Sequence, residues 1–374
     1  MKDYRQQIDN EYKDKIKKLC NGLPDVVKRF DRSMQLSTEV KTRFAYINDI
    51  KIFMEYLADV SNVSIKDITV EQLENCSKDL FEDYFDYLMK YEKNGQVYTN
   101  GKKTLKRKLS SLKRFYSYLL KSDLISVCNI EKIDVPKIER KELVYMDSDE
   151  VNTFLDKVET GIVTGSLMEE KYHDILGFRN YVIMVLLLTT GIRVSECVGL
   201  DVDDIDFKNS CIKVIRKGNK EDSVFFPDSV GELLDDYLDY RYTLSPMDKD
   251  NKALFLSTRN TRLGVRSVEM LVKKYAKASV PLKNIHCHST RSSFAMEFLK
   301  NSNGDIEGLQ SALGHNNIAT TQFYARSTQD MKKSKKEMVT FDNSKKGSEW
   351  YEFADKKEWC VIYSVSQFYK CFYW

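Results

Sequence analysis

The chain of 374 residues lacks several features that would assign it to a class of protein at once. It has no long apolar run: the longest, Tyr181 to Leu188, is far shorter than the roughly 20 residues that a membrane-spanning helix needs. Its eight cysteines are scattered without a C-x-x-C pair, which is typical of reduced thiols. The polar start of the chain is not a signal peptide. Together these absences predict a cytoplasmic protein with no membrane segment.

The chain also lacks a strong charge of either sign. Its 59 Lys and Arg residues nearly cancel 56 Asp and Glu residues, so the formal net charge is only +3. Net charge therefore does not indicate a polyanionic partner, and only a local cluster of charge can do so. An apolar content of 42% is ample for packed cores, and the length suits two domains.

The periodicity of apolar residues predicts a mainly α-helical chain with a small antiparallel β-sheet. Three helices are expected in a first bundle, at Thr38–Val60, Thr69–Tyr91 and Thr99–Ser122. The runs Cys211–Arg216 and Ser223–Phe226 are rich in β-formers and flank a turn with Gly218 and Asn219, which indicates a hairpin. The predicted organisation is a helical lead at 1–30, a helical domain at 31–125, a linker at 126–146, a second domain at 147–340 and a tail at 341–374.

One predicted helix carries charge of a single sign. The segment Gly101 to Lys121 has eight basic residues and no acidic one. An apolar stripe that includes Leu105 and Leu112 would turn its basic side chains toward water, where they can contact phosphates. The candidate DNA-binding residues are Lys102, Lys103, Lys106, Arg107, Lys113 and Arg114. The plainer alternative is a solvated helix face without a ligand.

Two further stretches place cations where they are unusual. "TTGIRVSECVGL" puts Arg193 directly after a buried helix, where a guanidinium needs an anion or a carboxylate. Glu196 can orient it, although an ordinary ion pair within one helix explains the same spacing. "RKGNKED" puts Lys217 at a hairpin tip, from which it can protonate a leaving oxygen; Lys220 is a second candidate, and a mere surface lysine is the alternative.

The remaining candidates contain three of the four histidines. In "HCHSTRSSF", His288 and Arg291 lie three residues apart, on one helix face, and can grip one phosphate together. A zinc site at His286–His288 is an alternative, but adjacent ligands point apart and no second cluster completes a tetrahedral shell. In "LGHNNIATTQFYAR", His315 precedes Tyr324 by nine positions; taken singly, Tyr324 is equally compatible with a core residue.

Taken together and in this order, these stretches resemble the signature of the tyrosine recombinases, also called the phage integrase family. That signature has an arginine in T-G-x-R-x-x-E, a lysine in G-K-G-N-K, the pair H-x-x-R, and a nucleophilic tyrosine after L-G-H. The matching residues here are Arg193, Lys217, His288, Arg291, His315 and Tyr324. Two positions depart from it: Arg216 stands in place of the first glycine of the lysine motif, and Ser292 follows Arg291 where many members have histidine.

The resemblance implies cleavage of DNA by transesterification. Tyr324 would attack the scissile phosphate and form a 3′-phosphotyrosyl link with release of a 5′-hydroxyl. The link conserves the phosphodiester energy, so neither ATP nor a metal is implied and no cofactor is expected. Arg193 and Arg291 would bind the two nonbridging oxygens.

The resemblance also implies the proton roles and the assembly. Lys217 would be the general acid, His288 the base near the tyrosine, and His315 a further donor to the phosphate. The first helical domain would be a SAM-like core-binding domain that clamps DNA against a catalytic domain. A homotetramer on two recombination sites is expected, with accessory proteins possible. The short lead favours a simple Xer-like or small mobile-element recombinase.

Two alternatives share part of this chemistry. A type IB topoisomerase would cut, swivel and reseal one duplex, and a catalytically silent protein would only bind DNA.

The segment "MKKSKKEMV" would dock on a neighbouring protomer or touch DNA. No catalytic role is assigned to the aromatic tail 341–374, which holds all three tryptophans.

Overall fold

The computed structural model of the chain describes residues 1–93, 95–138, 142–162, 166–216, 218–244, 251–314 and 318–327. These residues form a mainly helical fold with two small antiparallel sheets, which confirms the predicted fold class. The lysine-rich segment 331–339 and the tail 341–374 lie outside the described residues, as do Lys217 and His315. No helix in the described ranges is long and apolar enough to cross a membrane.

The N-terminal part is a helical bundle with one hairpin. Its elements are α1 (Lys2–Cys20), α2 (Asp25–Ser33), α3 (Val40–Ser61), α4 (Val70–Glu74), α5 (Lys78–Met89), β1 (Lys90–Lys93), β2 (Gln96–Thr99) and α6 (Lys102–Lys121). One apolar cluster runs from Ile16 of α1 to Ile133. Aromatic rings fill its centre, where Phe53 meets Phe81 and Tyr84 at centroid distances of 5.7 and 5.1 Å. The helical lead thus packs into the same core as the bundle.

The expected helix Thr69–Tyr91 is wrong in its interior and at its end. Thr69 does form the predicted capping box with Gln72, but α4 ends at Glu74. Ser77 then caps α5 by accepting a hydrogen bond from the Leu80 N–H, so the chain starts a new helix. Beyond Met89 the backbone becomes extended, and β1 pairs with β2 from Lys90↔Thr99 to Lys93↔Gln96.

Helix α6 buries the predicted stripe and one unexpected ion cluster. Its buried stripe comprises Leu105, Leu109, Leu112, Tyr116 and Leu119. Lys108, which is only 4% exposed, lies between the stripe and the basic face. Its ammonium is 3.2 Å from the carboxylate of Asp49 on α3, which also accepts hydrogen bonds from Arg107 and Ser111. A buried carboxylate thus ties the basic helix to α3.

The C-terminal part packs eight helices around a three-stranded sheet within the described ranges. Its elements are α7 (Ser148–Thr160), α8 (Leu167–Thr190), α9 (Val194–Gly199), β3 (Ile205–Asp206), β4 (Cys211–Ile215), β5 (Glu221–Phe225), α10 (Asp228–Leu244), α11 (Val265–Ser279), α12 (Cys287–Asn301), α13 (Ile306–Leu313) and α14 (Ile318–Ser327). Asp147 caps α7 reciprocally with Glu150, as the acidic start of that helix predicts. The apolar end of α8 lies at the centre of the core, together with residues of α7 and α11.

The predicted hairpin is present as β4 and β5. The strands are antiparallel from Cys211↔Phe225 to Ile215↔Glu221. Gly218 and Asn219 both have positive φ, 80° and 59°, which is the backbone that an asparagine–glycine type of turn supplies. The last strand pair, Ile215↔Glu221, places the turn with Gly218 and Asn219 at one end of the sheet.

Helix α1 contacts both parts of the chain. Near its C-terminal end, Ile16 and Cys20 are buried in the bundle. Near its N-terminal end, Arg5 donates a 2.9 Å hydrogen bond to the carbonyl of Arg216, and the guanidinium of Arg262 lies 4.6 Å from the centre of the Tyr4 ring. The helix therefore connects the bundle to the β4–β5 hairpin.

Candidate active site

Arg193 is fixed by the turn that joins α8 to α9. Gly191 ends α8 in the left-handed region with φ 61°, and Arg193 is the N-cap residue of α9. The Glu196 carboxylate accepts the Arg193 backbone N–H at 2.8 Å and its guanidinium at 2.8 Å. The Glu196 side chain is 6% exposed, whereas that of Arg193 is 39% exposed. The carboxylate thus lies inside the protein and the guanidinium reaches its surface.

Arg291 approaches the same turn from α12. It is 2% exposed, and it donates hydrogen bonds to the carbonyls of Gly191 and, at 2.6 Å, Leu313. The ring of Phe294, one turn further along α12, packs on Gly191 so closely that a Cβ there would lie 2.8 Å from its Cγ. The end of α8 and the end of α13 are therefore both held by α12.

The charge environment of Arg291 identifies its neighbours. Burial first, and then the charge of Arg193, lower the pKa of Arg291 to about 10, while Glu196 and Tyr324 act in the opposite direction. A guanidinium with this pKa remains charged at neutral pH. Two guanidiniums whose charges act on each other form a site that an anion would stabilise.

His288 lies one turn before Arg291 on α12, as the spacing predicts. The residue lies at the surface, but partial burial of its ring, followed by the charges of Arg291, His286 and Arg193, lowers the pKa of His288 below the ordinary 6.5. The imidazole is therefore neutral at pH 7 and able to accept a proton. His286 instead caps α12, since its Nδ1 accepts the Ser289 N–H at 3.1 Å.

The zinc alternative finds no partner side chains in the ranges that the structure describes. No group of three or more His, Cys, Asp or Glu residues there is placed to hold a metal ion. The two rings lie 6.4 Å apart between centroids, and the Nδ1 of His286 is already occupied by the Ser289 N–H.

Tyr324 approaches Arg291 from helix α14 of the same chain. It is 3% exposed on α14 and packs among apolar residues of α12 and α13, which include Met296, Leu309 and Leu313. Its phenol is close enough to Arg291 to act on the pKa of that guanidinium. The structure thus brings together Arg193, Glu196, His288, Arg291 and Tyr324 from three separate segments, whereas Lys217 and His315 fall outside its described residues.

Sequence reasoning missed the role of Arg216 in the architecture of this site. Its side chain is 7% exposed and donates to Glu196 at 3.0 Å, to Asp222 at 2.9 Å and to the Ala312 carbonyl at 3.3 Å. The signal that could have indicated this role is that Arg216 stands where the family motif has glycine. Lys220, the second hairpin candidate, is exposed, and its carbonyl accepts the Arg216 N–H at 2.7 Å.

The basic residues of α6 divide into two groups. Five have exposed side chains and take no part in the ion pairs of the described bundle: Lys102, Lys103, Lys106, Arg114 and Lys121. The side chain of Arg107 is also exposed, but it donates two hydrogen bonds to the carboxylate of Asp49. Lys113 lies 3.1 Å from the carboxylate of Glu131. The exposed group forms a ridge, defined here as the basic ridge, along one face of the helix.

Comparison with known protein families gives two matches along the chain. The model of the phage integrase family matches residues 145–331, which contain every candidate catalytic residue. The model of the phage integrase N-terminal SAM-like domain matches residues 27–123, which contain α6 and its basic ridge. The two matches occupy the same order along the chain as the two apolar cores described above.

Individual relatives agree with the family matches. A curated protein named tyrosine recombinase XerC, from Caldanaerobacter subterraneus subsp. tengcongensis, is 33% identical over 75% of this chain and 76% of its own length. The fold is similar to that of a Tn1549 transposon integrase in complex with circular intermediate DNA, with a TM-score of 0.59, 21% identity, and coverage of 84% and 99%. It is also similar to that of XerH site-specific recombinase bound to difH, with a TM-score of 0.57, 20% identity, and 77% of each chain covered.

Proposed function

This chain belongs to the phage integrase family, and from that premise we propose that it is a site-specific tyrosine recombinase that cuts and rejoins double-stranded DNA through a 3′-phosphotyrosyl intermediate. One observation carries the proposal: three separate segments meet at the buried guanidinium of Arg291. The α8–α9 turn brings Arg193 together with the carboxylate of Glu196. Helix α12 brings His288, and α14 brings Tyr324.

The proposed reaction is a transesterification at one phosphate of DNA. The Tyr324 oxygen forms a bond to phosphorus, and the bond from phosphorus to the 5′-oxygen breaks. The phenolic proton passes to His288, whose lowered pKa leaves it neutral at pH 7. A 5′-hydroxyl of another strand reverses the step and rejoins the DNA, so the phosphodiester energy is conserved in the tyrosyl ester.

Arg193 and Arg291 would stabilise the charge that builds on the nonbridging oxygens. The mutual repulsion of the two guanidiniums is relieved when an anion enters between them. Planar guanidiniums present parallel N–H donors to a phosphate, and a lysine at either position would supply only a point charge. Lys217 is proposed as the general acid for the 5′-oxygen and His315 as a further donor to the phosphate, on the strength of their places in the family motifs.

The basic ridge is the proposed contact of the N-terminal bundle with the DNA backbone. Its lysines would neutralise phosphates and release counterions, which makes binding dependent on salt.

The proposed domain division is a lead at 1–30, a core-binding domain at 31–125, a linker at 126–146 and a catalytic domain at 147–340. Rejoining strands from two duplexes requires four active sites, so we expect a homotetramer on two sites, acting on DNA in the cytoplasm.

The test uses the Tyr324→Phe variant in two ways. Because phenylalanine cannot form the ester but keeps the ring that packs on α12 and α13, this variant is expected to bind DNA and not to cut it. Duplexes selected from a randomised pool by the variant supply the binding site. Nicked versions of these duplexes, which lose the 5′-hydroxyl after cleavage, are then incubated with the unaltered protein to trap the covalent complex.

The proposal expects a covalent complex with the unaltered protein and none with Tyr324→Phe. Absence of any complex would support the silent DNA-binding alternative, and a complex formed equally by both proteins would refute the assigned nucleophile. Relaxation of a supercoiled plasmid that lacks the selected site would instead favour the topoisomerase alternative.

A further inference from the structure

We propose that Arg216 is a positioning residue that sets the orientation of Arg193 through the shared carboxylate of Glu196. The inference rests on the proposed recombinase function and adds a residue to it that the family motif does not contain. The motif has glycine at this position, and glycine has no side chain with which to reach Glu196.

The Arg216 guanidinium joins three parts of the site. It contacts Glu196 at the start of α9, Asp222 across the hairpin in β5, and the Ala312 carbonyl in the last turn of α13. Its own backbone N–H is bound by the Lys220 carbonyl within the hairpin. With a side chain only 7% exposed, it has no access to bulk water as an alternative partner. The side chain therefore transmits the position of the hairpin to both neighbouring segments.

The Glu196 carboxylate lies between two arginines. Its Oε2 accepts the Arg216 guanidinium at 3.0 Å and the Arg193 backbone N–H at 2.8 Å, while its Oε1 accepts the Arg193 guanidinium at 2.8 Å. One negative charge is thus divided between two cations. Loss of Arg216 would leave the carboxylate's charge to Arg193, whose guanidinium would then be drawn inward and away from a phosphate at the surface.

The end of α13 supplies a second link to the same residue. The carbonyls of Ala312 and Leu313, in the last turn of the helix, accept hydrogen bonds from Arg216 and Arg291 respectively. Gly314 follows with φ 59°, and a Cβ at this position would lie 2.6 Å from the Arg216 Nε. The close approach shows that the backbone at 314 and the Arg216 side chain are packed as one unit.

The experiment compares Arg216→Met with a matched control, Arg241→Met. Arg241 is a buried arginine of α10 that donates to the carbonyls of Asn251 and Ala253 and contacts none of the site residues. Single-turnover cleavage of the nicked selected duplex is measured and normalised to the folded fraction. We expect Arg216→Met to cut about 100-fold more slowly, because a displacement of a catalytic group by about 1 Å can cost that much. Arg241→Met should lose thermal stability only.

A modified substrate distinguishes positioning of Arg193 from a general loss of structure. In a methylphosphonate, a methyl group replaces one nonbridging oxygen, so the charge that Arg193 neutralises is reduced. The defects of Arg193→Ala and Arg216→Met should both shrink on this substrate. On a substrate with sulfur as the 5′-bridging atom, which needs no general acid to leave, the Arg216→Met defect should persist.

The inference is overturned if Arg216→Met cuts as fast as the unaltered protein, or if its defect is the same on phosphate and methylphosphonate. Rescue by the 5′-bridging sulfur alone would also overturn it, because the variant would then act on the general acid. If the unaltered protein forms no covalent complex, the proposed function itself fails, which is a separate result.

Discussion

Replacement of Asp49 by alanine tests how the basic helix is held in the bundle. The carboxylate is 1% exposed and binds Arg107, Lys108 and Ser111. Alanine would leave the Lys108 ammonium, 4% exposed, without this counter-charge. Removal of one partner of a buried pair costs about 3–5 kcal/mol. The loss of folding free energy cannot exceed the cost of neutralising Lys108. Removing the proton from an amine of pKa about 10.4 at pH 7 costs roughly 5 kcal/mol.

The assay is amide hydrogen exchange on the whole chain, with peptides of α6 as the readout and peptides of α10 as the internal reference. Each 1.4 kcal/mol changes an equilibrium constant about tenfold. The expected loss therefore makes opening of α6 about 100- to 4,000-fold more frequent. The pKa of Lys108 is already lowered by burial, and in the variant it falls further below its unfolded value. The folded state then binds fewer protons, so the loss of stability should shrink as pH rises toward 10.

Lys108→Met provides the compensating change. Added to Asp49→Ala, it removes the isolated charge, and we expect it to restore most of the lost stability. A loss below about 1 kcal/mol in Asp49→Ala, the range of ordinary surface pairs, would refute the reasoning. So would a double variant that remains as unstable as the single one.

Three further predictions concern the site and the DNA contact. Because the pKa of His288 lies below 6.5, the acid limb of the single-turnover cleavage rate should lie below that pH, and His288→Gln should remove the limb. Lys102→Ala should reduce the slope of log binding constant against log salt concentration by about 0.9. Lys78→Ala, which removes a lysine of α5 outside the basic ridge, should leave that slope unchanged. Gly191→Ala should lower the free energy of unfolding by at least about 2 kcal/mol in urea titrations, because φ is positive there and the α12 aromatic ring leaves no space.

The parts of the fold that were predicted correctly depend on local pattern. The stripe from Leu105 to Leu119 repeats every three or four residues, and the structure buries it as expected. The β1–β2 hairpin was missed although Asn94–Gly95, the strongest short hairpin signal, stands between two tyrosine-containing runs. The helical pattern on either side masked it, because apolar spacing in Tyr84–Tyr91 fits a helix until the last turn.

The parts that were not predictable depend on partners far away in the chain. Arg107 and Lys108 belong to the same basic run as Lys106, yet both bind Asp49, some 59 residues earlier. No local pattern separates these lysines and arginines from those of the basic ridge. Arg216 is a stronger case: its partners lie 20 residues before it and 96 residues after it. Motif spacing identified the positions expected at the phosphate and Glu196 as the partner of Arg193, but it did not indicate the second cation, Arg216, on the same carboxylate.

The two attachments of α1 differ in kind, and this difference has a consequence. Its C-terminal half is anchored by buried apolar side chains such as Ile16. Its first turns reach the hairpin through charged groups, since Arg5 donates to the Arg216 carbonyl and Lys2 pairs with Glu221. Salt screens exposed charges but not apolar contacts, so added salt would loosen the hairpin end of the helix first. The Arg216 carbonyl, which precedes the proposed general acid, would then lose its hydrogen bond from Arg5.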